Sequence, residues 1–401
     1  MSESAIERFD LRAPPAGFVA DPFPWYRRLR EEDPVHRCPD GSWLLTRYED
    51  NAAVYRSDAF SSDKTRLFAP KFGESPLFEH HTTSLVFSDP PYHTRVRATL
   101  TEALKPRAIQ ATVAVLERVV DRLLDELARE ATFDLIERFA SRVPVEIISS
   151  LITVPERDRA RLRDWSLAIL GALEPTLTHA ELSAGNRAIT QFLDYLRSLV
   201  ALRRGEPSGA ANDVLVSLVA QHDRGEISES ELLHNCIFLL NAGHETTTNL
   251  IGNAVHCLVT HPDARERIRA RPTALKSAIE EVLRFESPNQ LGNREVLADV
   301  TIGGVRLRPG DQLTLCIGAA NRDPDVFADP ERFDVERSPN PHLAFGAGIH
   351  ACAGMALARI EGKVAIGALF ERFPRLALAG EPTRRDRIRF RGFAQLPVRI
   401  R

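Results

Sequence analysis

One unbroken helical pattern in the middle of the chain limits the folds open to it. Ser228-Glu-Ser-Glu231 has the spacing of a capping box, and the apolar periodicity behind it runs to Thr260, where His261-Pro262 stops it. At 1.5 Å per residue such a helix is roughly 45 Å long, enough to cross a whole domain, so it has to be central. Its middle, Ala242-Gly-His-Glu-Thr-Thr-Thr248, is a run of poor helix formers inside a good helix. Asn241, His244 and Glu245 also interrupt its apolar residues, so it does not read as a membrane span.

Helical spacing of three and four marks residues 92–104, 107–130, 156–171, 180–204 and 273–285 as well. A short helix entered through prolines is expected in Asp21-Pro-Phe-Pro-Trp-Tyr-Arg-Arg-Leu-Arg30, ended by Pro34. Val35-His-Arg37 and Ser42-Trp-Leu-Leu-Thr46, joined across Pro39-Asp-Gly41, read as a β-hairpin. Further strand patterns lie at 299–304, 312–315, 388–390 and 396–400, with a turn expected around Phe393. Residues 58–88 read as a long loop with one short helix, and 321–341 as irregular. With no internal repeat or linker, the expectation is one mainly α domain over residues 1–401, α-rich with small β-sheets.

A chain that is 43% hydrophobic and 27% charged, with a formal charge of −3, has a core of ordinary size and no basic excess to suggest nucleic acid. The first ten residues lack the charged and apolar regions of a signal peptide, and the expected location is the cytoplasm. Cys38, Cys236, Cys257, Cys316 and Cys352 are odd in number and scattered, which fits reduced thiols better than a disulfide framework.

Chemistry concentrates in Phe345-Gly-Ala-Gly-Ile-His-Ala-Cys-Ala-Gly354. With 5 cysteines, 20 phenylalanines and 22 glycines in 401 residues, composition alone yields the spacing of Phe345, Gly348 and Cys352 about 0.01 times, so chance is a poor explanation. The helical pattern resumes at Ala353, which puts Cys352 at a helix N-terminus, where unpaired N–H groups favour an anionic sulfur. A lone cysteine cannot complete a tetrahedral zinc site, but it can be the one protein ligand of a haem iron. A buried free cysteine beside an ordinary helix is the plain alternative. In the long helix, Leu239, Ala242, Gly243, Thr246 and Leu250 share a face, and the small Ala242 and Gly243 would leave a groove with Thr246 as a hydrogen-bond donor and Glu245 as an acid beside it.

The stretch ending at Cys352 and Gly354 resembles the cysteine-ligand loop of the cytochrome P-450 family, and Ala242-Gly-His-Glu-Thr246 resembles that family's acid-alcohol pair behind its Ala-Gly. The likeness covers most of the chain, from about residue 21 to 397, with the motifs in family order. It implies haem b with Cys352 as axial thiolate, and Glu245 and Thr246 as the catalytic pair. His93 and Arg97, at i and i+4 in Asp89-Pro-Pro-Tyr-His-Thr-Arg-Val-Arg97, match the family's propionate pattern, as do His350 and Arg294. Glu281 and Arg284 share a helix face, and the family's meander, matched by Asn321-Arg-Asp-Pro324 and Pro330-Glu-Arg-Phe333, implies that Arg332 joins them in a structural cluster bracing the cysteine loop.

The implied activity is insertion of one oxygen atom from O2 into a small, largely apolar organic substrate. Electrons would come from a ferredoxin-type donor with an NAD(P)H-dependent reductase, since no flavin or iron-sulfur fingerprint is present. A docking patch for that donor is expected at Arg95, Lys105, Arg107 and Arg359, on a monomer with neither nucleic-acid nor membrane partner. Pocket candidates are Phe68, Phe72, Leu77, Phe78, Leu85, Leu239, Leu291 and Phe393, with His80, His81 and His244 available to a polar substituent. A peroxide-dependent or isomerising haem-thiolate enzyme, and a haem-binding sensor or carrier, are the other readings.

Overall fold

In the computed structural model, which describes residues 4–102, 104, 106–204 and 214–401, the capping box closes as expected. The Glu231 N–H donates to the Ser228 hydroxyl at 3.1 Å, and the Ser228 N–H donates to the Glu231 carboxylate at 2.6 Å. The helix it opens runs Glu229–Thr260 without a break. Its weak central formers each cost about 0.5–1 kcal/mol in propensity. Fully buried Leu232, Cys236, Ile237, Leu250, Ile251 and Val255 offset that cost, at about 1.5–3 kcal/mol for each large side chain.

Ahead of this helix the order is α1 (Ser4–Glu7), α2 (Phe23–Glu32), β1 (Val35–Arg37), β2 (Trp43–Leu45), α3 (Tyr48–Arg56), β3 (Phe60–Ser61), α4 (Thr65–Phe72) and α5 (Pro76–Thr83). Then come α6 (Tyr92–Glu102), α7 (Pro106–Leu127), β4 (Thr132–Asp134), α8 (Arg142–Leu151), α9 (Arg159–Gly171), α10 (His179–Arg204) and α11 (Val214–Asp223), and the long helix is α12. It is followed by α13 (Pro262–Ala270), α14 (Leu275–Phe285), β5 (Leu291–Val296), β6 (Val300–Ile302), β7 (Val305–Leu307), β8 (Gln312–Cys316) and α15 (Ile317–Ala320). The chain ends with α16 (Met355–Arg372), β9 (Ala377–Leu378), β10 (Thr383–Arg384), β11 (Phe393–Gln395) and β12 (Pro397–Arg399). Among the described residues no helix is long and apolar enough to cross a membrane.

The chain clusters into two compact units, each assembled from separate segments: Met1–Ser61, Val120–Ala140 and Thr246–Arg401 in the first, Ser62–Val119 and Ser141–Glu245 in the second. All the described sheets belong to the first unit. Its five-stranded sheet has the order β1-β2-β8-β5-β3, with the expected hairpin at one edge in the register Val35↔Leu45 and a parallel β2–β8 pair beside it. Gly41 turns the hairpin at φ +87°, a conformation open to glycine at little cost. Leu250, Ala254 and Leu258 of α12 pack with Ile279 and Val282 of α14 and Ile366 of α16 into one apolar cluster. The regular elements described in the second unit are all helices. There Leu77 of α5 seats against Gly185 of α10, where a Cβ would come within 2.8 Å of its methyl.

Several segments depart from expectation. Residues 58–88 hold β3, α4, α5 and a short 3-10 turn rather than a long loop. The prolines there suggested a loop, but Pro76 stands at the start of α5, where a missing N–H is harmless, behind Ser75, whose hydroxyl accepts from the Phe78 N–H. Helices α3, α8, α11 and α13 add to those marked by periodicity, Leu291 begins strand β5, and Phe393 lies on strand β11 rather than in a turn.

The cluster expected around Glu281 forms with a different third arginine. Arg284 is fully buried and bidentate to Glu281 at 2.7 and 2.8 Å, while Arg337 approaches the same carboxylate at 3.2 Å. Asn340 and the Asp334 N–H add two more donors. Arg332 contributes only its main-chain carbonyl, which accepts from Arg284 and Arg337, and its side chain is 58% exposed beside Asp334. The backbone direction in this irregular stretch turns that carbonyl, and not the guanidinium, toward Glu281. Removing one member of a buried ion cluster leaves an uncompensated charge. Arg337→Met therefore lowers unfolding free energy by about 3–5 kcal/mol in urea titrations, whereas Arg332→Met stays within about 0.5 kcal/mol.

Candidate active site

Segment 343–354 enters α16 by a tight path. The Gly346 N–H donates to the Leu343 carbonyl at 2.8 Å, and the Cys352 N–H reaches back to the Phe345 carbonyl at 2.9 Å, closing the loop at both ends. Gly346 and Gly348 take φ values of +64° and +69°. At Gly348 a Cβ would lie 2.1 Å from the main-chain carbonyl of Tyr55, so no other residue fits without moving α3. Cys352 stands just ahead of α16, whose N-cap is Gly354, and its carbonyl accepts from the Met355 N–H at 3.4 Å. It is thus slightly further from the helix start than the periodicity suggested. A Cβ on Gly354 would sit 4.0 Å from its sulfur.

No disulfide joins the five cysteines, and Cys352 alone among them is not buried. Burial pushes Cys38 up to about 11 and Cys316 to about 12, which keeps them protonated and inert. A half-open thiol on a glycine-shaped loop, with Ile349 beside it 58% exposed, fits a flat macrocyclic iron cofactor bound through one protein ligand.

Phe345 anchors the loop from behind. The Arg359 guanidinium lies 4.7 Å from its ring centroid and is bidentate to Glu280 at 2.8 Å, and His342 contacts the same carboxylate at 3.2 Å. Burial would raise the Glu280 carboxyl, but these hydrogen bonds and the Arg359 charge hold it down at about 2. Arg359 is thus committed to Glu280 and Phe345, and Arg95 to Glu231 and the Glu226 carbonyl. Of the other docking candidates, Lys105 and the side chain of Arg107 lie outside the described residues.

The rim candidates are divided between the two units. In the first, Arg294 on β5 is 9% exposed, donates to the Asn293 carbonyl at 2.8 Å and lies over the Tyr55 ring. His350 is half-buried in the turn before Cys352. In the second, α6 carries a buried His93 and a half-buried Arg97 one turn apart. Tyr55 has no motif of its own in the sequence, and only its contacts single it out.

Along α12, Ala242 is exposed and Gly243 and Thr246 half-buried, in a helix whose flanking turns are buried, while Glu245 is 1% exposed. Gly243 has a packing reason as well: a Cβ there would lie 2.8 Å from Ile148 of α8. Among the pocket candidates, Leu291 belongs to the core with Phe9, Phe18, Tyr26 and Leu44. Phe393 is packed by His256 at 4.8 Å and by Arg384 at 3.9 Å over its ring. Both fill core because their strands turn those positions inward. Leu85 and Leu239 are buried and Phe78 half-buried in the second unit. Phe68, Phe72, His81 and Phe87 form an aromatic cluster there, and Leu77 is packed under α10.

An α-rich chain with small sheets, a helix of 32 residues and one partly open cysteine at a glycine-bent helix entry fits a haem-thiolate class of protein. The family model for cytochrome P-450 matches residues 173–271 and 273–400. The biotin biosynthesis cytochrome P-450 of Bacillus subtilis (strain 168) is 35% identical over 95% of this chain and 96% of its own. The 6-deoxyerythronolide B hydroxylase of Saccharopolyspora erythraea is 36% identical, over 94% and 96%. Among solved structures, P-450BioI in complex with a hexadec-9Z-enoic acid ligated acyl carrier protein superposes with a TM-score of 0.91 at 34% identity, covering 96% of this chain and 99% of that one. Epothilone D-bound P-450epoK gives 0.89 at 33%, over 98% and 99%. The chain belongs to the cytochrome P-450 family, whose members carry haem on a cysteine thiolate.

Glu361, on α16, is a further unusual group and was not singled out from the sequence. It is 3% exposed, and burial pushes its carboxyl up to about 8 against the pull of a hydrogen bond from Thr247, the neighbour of Thr246. Its usual value is near 4.5. Below that pH both folded and unfolded chains hold the proton. Above it the unfolded chain releases the proton while the folded chain keeps it up to about 8, so stability falls as pH rises through this window. Glu361→Gln retains an acceptor for Thr247 and has nothing to ionise. Its stability in urea titrations matches the parent at pH 4.5 and exceeds it increasingly toward pH 8, by at most about 1.4 kcal/mol for each pH step of one between those limits.

Proposed function

We propose that this cytochrome P-450 monooxygenase binds haem b through Cys352 and inserts one oxygen atom of O2 into a small, largely apolar organic substrate. The observation that carries this reading is the 345–354 loop, closed by the Cys352 N–H bond to Phe345, with its sulfur the one thiol left unburied. Bound haem iron supplies dioxygen activation, which thiolate donation favours. His93, Arg97, Arg294 and His350 would be the charge-assisted donors to the haem propionates. The small residues Ala242 and Gly243 would leave room for dioxygen beside α12. The Thr246 hydroxyl donates a hydrogen bond and passes protons inward, and Glu245 replenishes them.

Electrons come from a ferredoxin-type donor with an NAD(P)H-dependent reductase, as in the soluble bacterial members that the chain resembles. The 401 residues act together as one haem domain, as a monomer, in a reducing cytoplasm that suits free thiols. Relatives named for vitamin D(3) 25-hydroxylation, 6-deoxyerythronolide B hydroxylation and biotin biosynthesis support a small organic substrate and leave its identity open.

The reduced, carbon-monoxide-bound spectrum tests the ligand. A strongly red-shifted Soret band that disappears in Cys352→His while haem is retained is the expected result, and a band unaffected by that change overturns the assignment. Proton delivery is tested by Thr246→Ala, which lowers product formed per O2 consumed by about tenfold or more, with the lost reducing equivalents recovered as peroxide, whereas Thr246→Ser restores coupling.

A further inference from the structure

We infer that Tyr55 is a positioning residue of the cofactor site: its ring holds the Arg294 guanidinium toward a haem propionate, and its backbone fixes the cysteine loop to the same helix. The inference rests on the haem reading above, and every contact behind it lies within the first unit. The Arg294 guanidinium carbon lies 5.2 Å from the Tyr55 ring centroid, within range of a cation–π contact. Burial raises the phenol above its usual value while the Arg294 and Arg389 charges pull it back, so the ring meets the cation as a neutral face.

The chain makes room for this one side chain in two distant places. At Gly292, two residues before Arg294, a Cβ would lie 2.5 Å from the Tyr55 hydroxyl, so only a glycine admits the phenol against β5. At Gly348 a Cβ would lie 2.1 Å from the Tyr55 carbonyl, which locks the loop of Cys352 against the end of α3. A Cβ on Gly346 would lie 3.6 Å from the ring edge, in ordinary van der Waals contact. From its other side β5 is fixed by Arg389, which donates to the Leu291 carbonyl at 2.8 Å and pairs with Asn293. Tyr55 therefore contacts both the strand bearing a propionate donor and the loop bearing the axial ligand, so a shift in one is felt by the other.

Packing alone would make Tyr55 a stability residue, since it also borders two apolar clusters through neighbours such as Leu45, Leu313 and Leu343. The test separates the two roles. Haem transfer from the ferric holoprotein to excess apomyoglobin and the ferric/ferrous midpoint potential are measured for Tyr55→Phe, Tyr55→Leu, Arg294→Leu and the double variant Tyr55→Leu/Arg294→Leu. Tyr55→Leu and Arg294→Leu each speed haem loss about tenfold and shift the potential in the same direction. The double variant is no worse than either, and Tyr55→Phe stays within about twofold of the parent. Pentafluorophenylalanine at position 55, which keeps the ring's shape and reverses its quadrupole, reproduces the leucine effect and serves if Tyr55→Leu does not fold.

A Tyr55→Leu protein with a lowered Tm but the parent's haem-transfer rate and potential overturns the inference, as do fully additive effects in the double variant. Failure of the parent chain itself to take up haem overturns the haem reading instead, and is seen before any variant is made.

Discussion

The carboxylate of Glu281, fully buried on α14, is the point on which the path to the cysteine loop depends. Residues 321–351 contain little regular structure to satisfy their own backbone. They are held instead by side chains: Glu281 takes Arg284, Arg337, Asn340 and the Asp334 N–H, and Asn321 receives the Leu343 N–H while donating to Ser287. A buried charge is tolerated only when its partners are complete. Completing this set draws the irregular chain onto α14 and delivers it at Leu343, at the entrance of the loop that ends in Cys352.

Three glutamates of the first unit meet two fates, decided by neighbours. Glu280 and Glu286 are both desolvated, yet Arg359 and His342 on one, and Arg391, Arg384 and Arg322 on the other, hold each at about 2 as a fixed anion. Glu361 is desolvated with only Thr247 for company and rises to about 8. Anions thus brace the proximal loop and the C-terminal strands, while a neutral acid lies against the polar turn of α12. Sequence spacing does not distinguish these cases, because the arginines that matter lie tens of residues away.

Local rules were legible wherever a short stretch satisfies its own requirements. The capping box at Ser228, the Gly41 hairpin and the proline-entered helix α2 follow from chemistry within a few residues, and the structure contains all three. Segments whose signal was ambiguous went the other way. Prolines at 70 and 76 read as loop but sit in or at the start of α4 and α5. Leu291 and Phe393, expected at the pocket, are packed among core residues, and an apolar side chain has the same sequence pattern whether it faces a ligand or another strand.

By itself the sequence determined the long central helix and the cysteine loop, with Cys352 singled out by fixed offsets from Phe345 and Gly348, since each depends on neighbours a few positions away. Tertiary structure decided which arginine completes the Glu281 cluster, that Arg359 is bound to Glu280 and stacked on Phe345, and that Tyr55 bridges Arg294 and the Gly348 turn. Those outcomes depend on distance and direction between residues far apart in the chain, and on whether a buried charge finds its partner, which only the folded backbone fixes.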